Sequence, residues 1–95
     1  MNDQEIGLLE ASVSQMWDVQ VRKHKTTAVL CLERLYTRMR RGNLAGSEEE
    51  VSQIMAVVLA HAKANGYTLV SSVNAAYHGD PRTYLVFNYR KPKAS

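Results

Sequence analysis

At Gly66 the apolar residues of this chain change period. Before it, Val51, Ile54, Met55, Val58, Leu59 and Ala62 recur three and four apart; after it, Tyr67 to Val73 and Thr83 to Tyr89 alternate at every second position. A three-to-four period puts one stripe on a helix, whereas a period of two puts one face on a strand. A chain with both must pack a helical layer against a sheet. Ser47 with Glu50 three residues on makes a capping box, and Glu48 and Glu49 suit the positive end of the helix that follows. Asn65-Gly66 ends that helix, with Gly66 in the place where a left-handed residue is favoured.

Upstream, Asn2 and Glu5 repeat the capping pattern, and Ile6, Leu9, Val13, Met16 and Trp17 follow at helical spacing. The pattern predicts a helix over about residues 3 to 21. Arg22, Lys23, His24 and Lys25 then meet the negative end of its macrodipole. From Thr26 the apolar spacing resumes through Val29, Leu32, Leu35, Tyr36 and Met39, which predicts a second helical segment reaching Arg41. No proline or glycine divides it from the first, so residues 22–25 either break one helix or continue it. Residues 42–46, Gly-Asn-Leu-Ala-Gly, read as a loop.

The two alternating runs predict an antiparallel hairpin. Between them lie nine residues, Asn74 to Arg82, which include the turn-forming His78-Gly79-Asp80-Pro81 and are long for a tight connection. A projecting loop is the expectation. Leu85, Phe87 and Tyr89 share a strand face, joined by Leu69 and Val73 against the helices. The expected fold is α+β, with two or three helices packed against a C-terminal antiparallel β-hairpin in a single small domain over residues 1–95. A chain of 95 residues holds one core and buries only about two-thirds of its unfolded surface, and a lone hairpin is marginally stable. Its outer edges therefore leave a homodimer open.

Composition narrows the class further. Apolar residues are 45% and charged residues 22%, as in folded globular domains and unlike disordered chains. Cys31 is the single cysteine, so the chain can form no internal disulfide and no thiolate zinc cage, and a reducing compartment suits it. The acidic start lacks the order of a secretory signal, and no apolar run approaches the roughly 20 residues that span a bilayer. A cytoplasmic protein with no membrane contact is expected.

The net charge of +3 is unevenly placed. Residues 1–20 carry four acids and no base, while residues 21–46 carry seven bases against Glu33 alone. Arg34, Arg38 and Arg41 fall on one helical stripe, with Arg40 beside them and Arg22, Lys23 and Lys25 able to extend the surface. Guanidinium forks bind carboxylates and phosphates bidentately. Cys31 lies near the stripe, where cations favour the thiolate, yet its apolar setting from Ala28 to Leu32 also suits a small core residue. In the predicted loop, Tyr77, His78 and Arg82 are recognition candidates together with Asp80.

No Gly-x-Ser-x-Gly elbow, phosphate loop, dinucleotide glycines, His-Glu-x-x-His helix or Cys-x-x-Cys pair occurs, and His24, His61 and His78 lack ligand spacing. Catalysis, a metal site and a cofactor are not expected. The sequence points to a non-enzymatic domain that binds a partner protein as an adaptor, regulator or inhibitor. Its candidate contacts are Arg34, Arg38, Arg41, Tyr77, His78 and Arg82. Nucleic-acid binding through Arg22, Lys23, Lys25, Arg34, Arg38, Arg40 and Arg41 is the alternative. The helix, helix, helix, hairpin order resembles a winged helix, which would make residues 47–65 the recognition element, although Glu48, Glu49 and Glu50 would repel phosphates there.

Overall fold

A computed structural model of the chain describes residues 2–39 and 47–89. The order of elements is α1 (Asp3–Lys23), β1 (Thr27–Cys31), α2 (Leu32–Arg38), α3 (Glu48–Ala64), β2 (Tyr67–Tyr77) and β3 (Asp80–Tyr89). The fold is α+β, with three helices and an antiparallel three-stranded sheet in the order β1-β3-β2.

Both long helices begin where the capping boxes predict. The Asn2 side chain accepts from the Glu5 N–H at 2.8 Å, and the Ser47 hydroxyl accepts from the Glu50 N–H at 3.2 Å. Leu9, Val13 and Trp17 on α1, and Ile54, Val58 and Ala62 on α3, are buried at i, i+4, i+8 intervals. These two stripes meet Ala28, Leu30, Leu85 and Phe87 from the sheet in one core cluster.

The segment after Lys23 departs from expectation. Helix α1 stops at His24, and Thr27–Cys31 is a strand where a helix was predicted. Ala28-Val29-Leu30-Cys31-Leu32 is apolar throughout, and so short a run satisfies either period. Pairing with β3 decides it: Ala28 lies opposite Phe87 and Leu30 opposite Leu85, and all four are buried. The helical spacing holds only in α2, where Leu32, Leu35 and Tyr36 are buried. The sheet therefore has three strands rather than the two of the predicted hairpin.

The hairpin also differs. Strand β2 runs to Tyr77 and β3 starts at Asp80, so the predicted nine-residue loop is a two-residue turn, His78-Gly79. His78 has φ 50° and Gly79 φ 83°, the positive pair that matches the twist of antiparallel strands. The pairing slips between Leu69 and Ser71, so that Val70 and Ser71 together face Val86. That bulge turns Val73 onto the opposite face from Leu69, and Val73 is 44% exposed instead of joining the core. Tyr89, expected on the buried face, is 41% exposed at the end of its strand.

Val58 is fully buried between α1 and the sheet. Val58→Asp places an unpaired carboxylate in that core and should lower unfolding free energy by about 3–5 kcal/mol. Urea denaturation followed by circular dichroism measures it; a parent-like midpoint would mean that this stripe does not face the core.

Candidate functional site

A strand at the edge of a sheet exposes unpaired N–H and C=O groups, and β1 is such a strand. Here α1 closes the edge. The Thr27 N–H donates to the His24 carbonyl at 3.2 Å, and the Val29 N–H donates to Gln20 Oε1 at 3.2 Å. Strand β3 outlasts β1 by several residues, and its next outward N–H, that of Thr83, donates to the Glu33 carboxylate in the first turn of α2. Glu33 also accepts from Cys31 Sγ at 3.8 Å. The acid that interrupts the basic segment thus ends the sheet where the chain turns from strand to helix.

This arrangement leaves a cleft of about 580 Å³ beside β1. Met16, Val19 and Gln20 of α1 form one wall, and Arg34 and Arg38 of α2 form another. The sheet supplies Val29, Cys31, Arg82 and Tyr84. Val29 lies opposite Val86 and Cys31 opposite Tyr84, so these side chains share the sheet face turned away from Phe87 and Leu85. Arg82, two residues before Tyr84, points to that same face. Arg38 Nη1 donates to Gln15 Oε1 at 2.9 Å, which steadies its guanidinium across the mouth between α2 and α1.

Three of the predicted site residues, Arg34, Arg38 and Arg82, therefore come together. Others do not. Arg22 and Lys23 close the last turn of α1 and Lys25 follows it, all exposed, with the length of β1 between them and α2. They do not extend the arginine stripe, because a strand and not a continuous helix connects the two groups. His78 is exposed at the hairpin tip, away from the cleft. Arg40, Arg41 and the side chain of Tyr77 lie outside the described residues. Sequence reasoning missed Gln15, Gln20 and Tyr84. The two glutamines carry no pattern in the sequence, and Tyr84 is placed only by the pairing of β3 with β1.

Among the described residues no group of three or more His, Cys, Asp or Glu side chains is placed to hold a metal. No described helix is long and apolar enough to cross a membrane. No protein-family model, curated protein or solved structure matches the chain.

The cleft joins three positive charges to an apolar floor, which suits an anionic segment that also carries apolar side chains. On the core side of α2, burial holds the Tyr36 hydroxyl above its ordinary value, and the negative charge of Glu33 adds to the shift. A raised folded-state value means that the unfolded chain gives up this proton first. The stabilisation is complete below about pH 10 and is lost as pH rises beyond it. Thermal melts should hold level from pH 8 to about 10 and fall above it, and Tyr36→Phe should flatten the fall. An equal loss in both proteins would assign the alkaline effect to other groups.

Proposed function

We propose that this chain is a non-enzymatic protein-binding domain, an adaptor, regulator or inhibitor, that takes an acidic segment of its partner into the cleft between α1, β1 and α2. One observation carries the reading: Arg34 and Arg38 from α2 and Arg82 from distant β3 meet in a single open cleft over Met16, Val19, Val29 and Tyr84. Arginine is the cation best suited to carboxylates at an interface, because its planar fork bonds them two at a time and loses little hydration. The apolar floor lets neighbouring Leu or aromatic side chains of the partner be buried between those pairs. A cytoplasmic setting belongs to this reading, supported by Cys31 as a free, buried thiol.

Nucleic-acid binding is the second reading. It draws on exposed Arg22, Lys23, Lys25, Arg34 and Arg38, and on a hairpin that follows the third helix as in a winged helix. Against it, the exposed side of α3 presents Glu48 and Glu49, with Lys63 as its one cation.

A labelled peptide that alternates Glu with Leu and Phe tests the first reading. It should bind the parent, and Arg34→Gln, Arg38→Gln and Arg82→Gln combined should weaken binding on the order of tenfold to a hundredfold. Arg34 and Arg38 are exposed and Gln is a good helix former, whereas Arg82 is half-buried in β3, so a parent-like circular-dichroism spectrum and melting temperature of the triple variant are required beside the affinity. Parent-like affinity in the triple variant would reject the cleft as the site. Random duplex DNA that binds more tightly than the peptide, with a log affinity that falls steeply with log salt, would favour the second reading.

A further inference from the structure

The sheet has two edges, and they are treated differently. The β1 edge is closed by α1 through the His24 carbonyl and Gln20 Oε1, while β2 has no strand beyond it among the described residues. Native edge strands are commonly guarded by charged side chains, by proline or by brevity. None of these protects β2. It is 11 residues long, and Tyr67 to Tyr77 contains no charged residue and no proline. The bulge at Val70 bends its first part, after which Ser71 to Tyr77 pairs with β3 without interruption.

The direction of the free backbone groups follows from the ladder. The Thr83 N–H points away from β2, toward Glu33, so Thr83 and its partner Asn74 form a pair without mutual hydrogen bonds. The N–H and C=O of Asn74 therefore face the open edge. By the alternation of an antiparallel ladder, so do those of Ser72 and Ala76.

We propose that a second copy of this chain occupies that edge, with the two β2 strands antiparallel about a twofold axis at Asn74. The two three-stranded sheets become one of six strands. In this register Asn74 meets its own counterpart and Ser72 meets Ala76 of the other copy, so every outward donor from residues 72–76 finds an acceptor. On the other face Val73 meets Ala75. These side chains are small and uncharged, so the pairing buries no charge and meets no steric bulk. Exposed Val73, and Val70 beside it, gain cover from the second copy; they are 44% and 52% exposed in the single chain. A strand of another protein would need this neutral, small-residue pattern, which β2 itself already has. The pairing is independent of what the arginine cleft holds.

Sedimentation equilibrium at high micromolar concentration should give twice the 10.7 kDa mass of the chain. Asn74→Cys should form an interchain disulfide under mild oxidation, because directly opposed residues of a hydrogen-bonded pair lie within disulfide reach. The parent, with its buried Cys31, and Ser52→Cys on the exposed side of α3 should not. Asn74→Lys faces two like charges across the axis and should be monomeric where the parent is dimeric, with unchanged circular dichroism. A monomeric parent, an Asn74→Cys variant that stays uncrosslinked, or an Asn74→Lys variant that dimerises like the parent would each overturn the proposal. Acidic-peptide binding by the Asn74→Lys monomer reports separately on the cleft.

Discussion

Trp17 ties the domain together. Its indole meets His61 of α3, Tyr67 of β2 and Phe87 of β3 edge to face, with ring centroids 5.5, 5.0 and 5.2 Å apart. Such pairs add roughly 0.5–1.5 kcal/mol each beyond the area they bury. The indole N–H is buried without an acceptor among the described residues, a penalty of about 1–3 kcal/mol that the ring contacts must offset. Tyr67 carries the arrangement further, donating its hydroxyl to the Lys25 carbonyl at 2.9 Å. That bond ties the start of β2 to the turn before β1. The angle at which the chain leaves α1 and enters the sheet is therefore set from the core, and the cleft on the other side of β1 inherits it.

The two sides of the sheet then take different tasks. The face toward Trp17 holds Ala28, Leu30, Leu85 and Phe87 and is closed by α1 and α3. The opposite face holds Val29, Tyr84 and Val86, half-buried, with α1 and α2 reaching round the β1 edge to make the cleft. A turn carbonyl and a side-chain oxygen accept the Thr27 and Val29 N–H groups at that edge without adding a strand. A fourth strand there would fill the space between β1 and the arginines. Gln20 and Glu33 thus perform a structural task that leaves the cleft open.

Much of this was legible from residue pattern where the relevant interactions are local. The caps at Asn2 and Ser47, the stripes through Trp17 and Val58, and the glycine stop at Gly66 are set within a few residues, and each stands in the structure as expected. Strand β1 was not legible, because Ala28 to Leu32 fits both periods and its partner β3 is distant in sequence. The hairpin was half legible. The alternation placed its strands, but His78 in a positive-φ position is less expected than Asn or Asp, and without it the loop reads as long. Of the site, the Arg34 and Arg38 spacing survives because α2 is a helix, while Arg82 joins them only through the sheet.

The missed strand alters the electrostatics as well as the topology. As one helix, residues 22–41 would have presented their cations along a continuous rod, the arrangement that follows a phosphate backbone. Five residues of strand instead separate Arg22, Lys23 and Lys25 from α2 by roughly 16 Å, at about 3.3 Å per residue. At physiological salt, exposed charges that far apart lie beyond the roughly 8 Å screening length and act as two groups. Among the described residues, Arg34, Arg38 and Arg82 form a short convergent set over apolar side chains. A convergent set rewards a ligand that brings a few anions and some hydrocarbon to one place, and gives little to one that spreads identical charges along a line. That geometric difference is the physical ground for proposing an acidic protein segment, rather than a nucleic-acid backbone, as the ligand of the cleft.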